Sequence, residues 1–299
     1  MRPRLLLAVL ALAGVAGAAL GIAALVARPA PEHPFFAGER PGVQVIAHRG
    51  GAMLRPENTL EAFVHAAQAG ADILETDLRT TADGAIVCIH DATVDRTTDG
   101  SGAVGSFALD ALRRLDAGFR WSDDGGRTFP FRGKGVRIAL LEEVFARLPA
   151  MRMVLEIKRP PGAALAAPLC ALLRRARMAP RVLVASMDGE ALEAFRRACP
   201  EVATSLGPRE ARFFVGASLV RVSALYTPPG AALQVPYRVG ERVVATADLI
   251  ASARARNVKL DVWTVNDEGR MRELVRIGVH GIITDRPDLL LRIRGSEAR

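Results

Sequence analysis

Short apolar runs and amphipathic stretches alternate along most of this chain. Residues 43–47 form a short, mostly apolar run of strand length. Residues 58–69 carry Leu60, Phe63, Val64 and Ala67 at helical spacing, and Gly70 follows as a stop signal. A second strand is predicted over 72–77. Asp83-Gly84 marks a turn, and a third strand follows over 85–90. The pattern degrades between residues 100 and 135. There 107–115 reads as helix, while 118–135 is rich in glycine, arginine and aromatic residues. This stretch is expected to be an insertion after the third strand, packed over one face of the domain. Alternation then resumes. Strands are predicted at 153–158, 182–185, 202–206, 259–265 and 281–284. Helices are predicted at 141–148, 163–177, 189–198, 246–256, 268–277 and 287–294. Residues 209–237 are ambiguous between helix, strand and loop.

About eight strand–helix units in roughly 250 residues is the size of a TIM (β/α)8 barrel. An open doubly wound α/β sheet is the alternative. No Gly-x-Gly-x-x-Gly follows the first strand, which argues against a dinucleotide-binding version.

The N-terminus stands apart from this alternation. Arg2 and Arg4 precede an uncharged run over 5–27. At about 1.5 Å per helical residue that run is long enough to span a bilayer. Residues 1–27 are therefore expected to be a membrane anchor, with the domain extracytoplasmic because the positive charges precede the run. A cleaved signal peptide, and hence secretion, is the competing reading. Residues 28–42 hold four prolines and read as a linker. The catalytic domain is expected over 43–299.

Net charge is +8, yet only three of the 40 basic residues are lysines: Lys134, Lys158 and Lys259. No basic block is interleaved with aromatics, which argues against nucleic acid as a partner. Cys88, Cys170 and Cys199 are far apart and lie in apolar contexts. They read as buried free thiols, with a Cys170–Cys199 disulfide as the alternative in an exported domain.

Candidate chemistry gathers at strand ends. Glu75 and Asp77 are two apart on a strand, so both point to one face. Glu156 and Lys158 repeat that spacing on a later strand. Carboxylates inside a barrel resist desolvation unless a cation compensates. An all-oxygen set suits Mg²⁺ or Ca²⁺ rather than zinc. His48 and His90 each end a strand beside these acids, which favours acid–base work. Arg49 offers a planar fork of donors for a phosphate. Gly50 and Gly51 allow a tight turn around a ligand.

The motifs His48–Gly51, Pro56–Thr59, Glu75–Asp77, Thr81–Gly84, His90-Asp91, Glu156–Lys158 and Trp263–Asn266 occur in that order. Together they resemble the glycerophosphodiester phosphodiesterases over residues 43–290. The resemblance implies a TIM barrel that hydrolyses a glycerophosphodiester to glycerol 3-phosphate and an alcohol. It implies a divalent cation on Glu75, Asp77 and Glu156, and acid–base catalysis by His48 and His90. Arg49 and Lys158 would take the phosphate, and Trp263 would line the glycerol end. Glu57 and Asn58 would support the site, although both are equally good helix-start residues. Gln234–Pro236 and Thr284-Asp285 fit later strands of the family. Ile138-Ala139-Leu140 departs from its pattern, outside the catalytic set. A lysophospholipase D acting on intact lysolipids is the alternative activity. It would need Phe107, Phe119, Trp121, Phe129 and Phe131 of the insertion to form an acyl groove rather than pack internally.

Overall fold

The computed structural model describes residues 26–297. Eight parallel strands form the frame: β1 (Gln44–Ala47), β2 (Ile73–Thr80), β4 (Arg152–Ile157), β5 (Val182–Ala185), β6 (Ala203–Thr204), β7 (Ala232–Pro236), β10 (Lys259–Trp263) and β11 (Gly281–Thr284). They pair in the order β6-β5-β4-β2-β1-β11-β10-β7. The circuit closes where Ser205 bridges Ala232 in parallel register. There the Leu206 amide donates to the Ala232 carbonyl at 2.7 Å. The expected TIM barrel is therefore observed.

Strand alternation sorts the side chains. Ile46, Ile73, Val154, Leu183, Ala232 and Ile283 fill the barrel interior. Their neighbours Val45, Leu74, Leu155, Val184 and Ile282 belong to the larger core between barrel and helices. Such strands are buried on both faces and read as nearly continuous apolar runs. The first helix, α1 (Leu60–Ala69), starts where the Thr59 side chain accepts from the Ala62 amide. It ends at Gly70 in the left-handed conformation, φ 98°. Its end matches the Gly70 stop signal in the sequence, while its start falls at Leu60, two residues after the expected 58.

The predicted third strand differs. β3 (Ile86–Cys88) pairs antiparallel with β2 and lies off the barrel. Only residues 81–85 connect the two strands, and a parallel crossover needs about a dozen. The insertion accordingly starts with this hairpin, between the second and third barrel strands. It runs to residue 140 around its own small core of Val87, Val94, Val104, Leu112 and Ile138. Its helix is shorter than predicted, α2 (Leu109–Leu112). The missing barrel strand lies in the ambiguous segment, which resolves into the helix Pro208–Leu219, a short turn Ser223–Leu225 and then β7. A small hairpin of β8 (Arg238–Val239) and β9 (Arg242–Val243) follows.

The expected anchor over 1–27 lies almost wholly outside the described residues. Among the described residues no helix is long and apolar enough to cross a membrane. Residues 28–42, expected as a linker, dock on the barrel instead. The Ala30 amide donates to the Arg256 carbonyl at 2.8 Å. Phe35, 1 % exposed, packs with the interior residues and closes the barrel at the N-terminal ends of its strands. Burying such a ring stabilises by about 2–3 kcal/mol, enough to hold a proline-rich segment down. Cys170 and Cys199 form a disulfide with Cα atoms 5.5 Å apart, so the free-thiol expectation holds only for buried Cys88.

Candidate active site

The candidate site lies at the C-terminal ends of the barrel strands. Glu75 and Asp77 project inward from β2, and Glu156 from β4. Asp77 and Glu156 are register partners. One oxygen from each of the three carboxylates lies within 4.8 Å of the others. Glu75 is 4 % and Asp77 1 % exposed. Asp77 is well matched: Lys158 Nζ lies 3.0 Å away and Asn58 Nδ2 donates at 2.9 Å. Burial would raise its pKa, but Lys158 and Arg49 outweigh that and hold it below the ordinary range. Lys158 also pairs with Glu156 at 2.8 Å. Glu75 is different. It accepts the Arg49 amide at 2.8 Å, and its nearest cationic side chain is the His48 ring, 4.0 Å away. Burial first, then repulsion by Asp77, pushes its pKa up to about 8. A buried acid raised in this way is a carboxylate short of a counter-charge, which fits an all-oxygen site for a hard divalent cation.

The turn after β1 delivers several groups at once. Arg49 is left-handed at φ 52°, and Gly50 and Gly51 follow at 82° and 89°. A Cβ on Gly50 would sit 2.8 Å from Ala62 Cβ, so only glycine fits against α1. Holding Arg49 in that conformation costs about 1–2 kcal/mol, and the same turn aims its amide at Glu75. The Arg49 guanidinium bonds Glu57 at 2.9 Å. Its Nε lies 3.3 Å from Asp77 but misaligned, and has no hydrogen-bond acceptor.

Each histidine has an aspartate behind it. His48 Nδ1 is 2.7 Å from Asp285 Oδ1, and Asn266 Nδ2 donates to the other oxygen of Asp285 at 2.7 Å. Burial would lower the His48 pKa, but Asp285 and Glu75 outweigh it and raise it. His90 Nδ1 is 2.7 Å from Asp91 Oδ1. Asp91 is held at about pKa 2, mainly by Arg96. Arg96 also bonds both oxygens of Glu57 at 2.7 Å. A continuous chain thus runs Arg49–Glu57–Arg96–Asp91–His90. Both Nδ1 atoms are committed, which leaves both Nε2 atoms for proton exchange.

All eight expected site residues come to this end of the barrel. Trp263 ends β10 at the rim, 36 % exposed. Glu57 and Asn58 do brace the site. Asp285 was named from sequence only as part of a later strand, and two contributors were not singled out at all, Arg96 and Arg79. Arg79 donates to the His90 carbonyl at 2.7 Å and to the Pro160 carbonyl at 2.7 Å, pinning the His90 turn to the loop after β4. Its position two residues after Asp77 on the same strand was the available signal. The insertion's aromatics do not form an acyl groove. Arg132 lies 4.2 Å from the Phe119 ring and 3.8 Å from that of Phe129, and Trp121 packs edge-on against Phe131. Instead a cavity of about 400 Å³ opens beside Met53, Glu57, Arg96, Arg120 and Trp121.

A closed barrel with an acid cluster and paired histidines at its C-terminal mouth defines a phosphoric diester hydrolase when set beside known proteins. The sequence profile of the Glycerophosphoryl diester phosphodiesterase family matches residues 48–289, and the chain belongs to this family. It is 31 % identical over 263 residues to the glycerophosphodiester phosphodiesterase of Caldanaerobacter subterraneus subsp. tengcongensis, covering 83 % of this chain and 96 % of that one. The crystal structure of a putative glycerophosphoryl diester phosphodiesterase from Silicibacter pomeroyi superposes with a TM-score of 0.74 at 29 % identity, over 89 % and 99 % of the chains. An Oleispira antarctica phosphodiesterase, solved with sn-glycerol-3-phosphate, shares the fold at TM-score 0.67 and 24 % identity, over 85 % and 97 %. The protein is thus a glycerophosphodiester phosphodiesterase, and these relatives favour that activity over the lysolipid alternative.

Proposed function

We propose that this enzyme hydrolyses deacylated glycerophosphodiesters to glycerol 3-phosphate and an alcohol, with a divalent cation on Glu75, Asp77 and Glu156 and acid–base catalysis by His48 and His90. The observation that carries the reading is Glu75, a buried carboxylate without a matched cation, 4.0 Å from the ring of His48, which like His90 is backed by an aspartate. A cation bound there supplies charge neutralisation at the phosphoryl oxygens. Arg49 and Lys158 bind and orient the phosphate. One histidine Nε2 takes the proton of the nucleophile, either water or the glycerol C2 hydroxyl of the substrate, and the other returns a proton to the departing alkoxide. Trp263 lines the glycerol end, and the 400 Å³ cavity leaves room for the alcohol. Chelation with EDTA is expected to abolish turnover of glycerophosphocholine, and Mg²⁺ or Ca²⁺ to restore it better than Zn²⁺. Full activity in a rigorously metal-free preparation would defeat this reading.

We also place the domain outside the cytoplasm, on an anchor formed by residues 1–27. Support comes from the basic start and apolar run of the sequence and from the Cys170–Cys199 disulfide, which suits an oxidising compartment. An alkaline phosphatase fused to the C-terminus should be active. A silent fusion with an active cytoplasmic reporter at the same point reverses the orientation.

A further inference from the structure

The helix Pro208–Leu219 carries an apolar face that the barrel does not cover. Phe213 is 60 % exposed, Leu219 74 %, Val220 69 % and Val222 40 %. A contiguous group of large apolar side chains in water marks an interaction surface. Arg212 and Arg221 stand exposed among them. The one acid of the helix, Glu210, is taken by Arg196 at 2.6 Å. The face is therefore apolar and cationic together, the combination that suits an anionic lipid surface.

Its position in the fold says what covers it. The Phe213 ring lies 5.1 Å from that of Tyr226. One residue on, Thr227 Oγ1 accepts the Arg28 amide at 3.1 Å. The chain thus enters the described structure tied to the segment that packs on Phe213, and Val26, two residues before Arg28, is 63 % exposed. The residues before it are the uncharged run that begins at Leu5. The helix runs from the C-terminal end of β6 to the N-terminal end of β7, so Leu219–Val222 lie at the end closed by Phe35, opposite His48 and Glu75.

We propose that this face rests on an anionic bilayer surface at the point where the N-terminal run enters it, with the catalytic mouth turned to the aqueous phase. The proposal rests on the anchor reading above and deepens the substrate reading. A mouth facing water receives soluble diesters by diffusion, and lysolipids held in the same bilayer do not reach it.

The test uses the full chain reconstituted in vesicles rich in phosphatidylglycerol, with a polarity-sensitive dye on Val220→Cys. Cys88 is buried and the other two cysteines are bonded, so labelling is selective. A dye on Met187→Cys, in the loop after β5 at the catalytic end and 67 % exposed in the wild type, is the control. The Val220 dye should shift to the blue and be quenched by a nitroxide lipid, severalfold less in pure phosphatidylcholine, while the Met187 dye stays in water. Vesicle-bound protein with an unquenched Val220 dye overturns the docking and leaves the anchor and the diesterase intact. Protein absent from the vesicle fraction overturns docking and anchor together. Disulfide-linked dimers through the unlabelled Val220→Cys variant in the vesicles assign the face to a second copy and overturn the proposal. Activity on glycerophosphocholine, unchanged in the Val220 variant, shows that the barrel is folded in every case.

Discussion

The two ends of this barrel carry nearly the same chemistry and do different things with it. At the end closed by Phe35, His280 Nδ1 lies 2.8 Å from Asp261 and its Nε2 3.0 Å from Glu39. Both ring nitrogens face carboxylates, so both donate and the ring is an imidazolium. Burial would lower its pKa, but the hydrogen bonds to Asp261 and Glu39 raise it to about 9. Glu39 also takes Arg152 at 2.8 Å, and Arg152 donates to Gln44 at 2.7 Å. The charges there are matched among themselves. A cleft of about 660 Å³ opens beside Glu39, Lys259 and His280, larger than the cavity at the catalytic end. At the other end each histidine spends one nitrogen on an aspartate and keeps the other, and Glu75 lacks a matching cation. A histidine, an arginine and two carboxylates make a structural clamp when their charges close on one another. They make a site when one charge is left for a ligand. Cleft size does not separate the two ends; charge balance does.

The sharpest way to break this comparison is to remove the histidines one at a time. His48→Ala and His90→Ala should each lower kcat by at least about 10²-fold, the low end for acid–base catalysis, with folding intact. His280→Gln should leave kcat within about twofold, since pairing of its charges gives it no part in the chemistry. Equal losses in steady-state assays of all three would erase the distinction between the ends.

A smaller effect separates the two histidine–aspartate pairs. His48 is 18 % and His90 35 % exposed, and Asp285 is more buried than Asp91. Asp285→Asn should therefore lower kcat by about 10²-fold and Asp91→Asn by about tenfold, because a buried orienting carboxylate has no solvent substitute. The opposite ranking would show that the Arg96 network, rather than burial, sets histidine orientation.

The third effect is on stability rather than rate and concerns the clamp alone. His280 has a folded pKa of about 9 against an ordinary 6.5, so its stabilisation is complete below pH 6.5 and is lost as pH rises through 9. The size is about 3 kcal/mol. Urea unfolding of wild type and His280→Gln should show a stability gap at pH 6 that narrows by pH 10. A gap independent of pH would mean that the ring is neutral and that the clamp is held by packing.

Much of this was legible in the chain. Period-two spacing put Glu75 with Asp77, and Glu156 with Lys158, on one face, and the barrel places them so. Local turn chemistry marked Gly50, Gly51 and Gly70 correctly, whereas the cap fell on Thr59 rather than on Glu57 or Asn58. The third strand was misplaced because periodicity reports a strand but not its direction. The five-residue connection over 81–85 carried that information, since it is too short for a crossover. Periodicity left β7 open, though the resemblance put Gln234–Pro236 on a later strand, because the strand is short and follows a helix with an exposed apolar face, which blurs the helical period.

The chain by itself determined which candidate residues lie at strand ends and turns, because they belong to local motifs whose spacing is dictated by strand and turn geometry. Only the tertiary structure decided how they are balanced. Asp285 reaches His48 across 237 residues, Glu39 reaches His280 across 241, and Phe35 seals one end of a barrel whose strands are spread over most of the sequence. Charge matching and burial are sums over neighbours brought together by closure of the barrel, and no local pattern of residues records them.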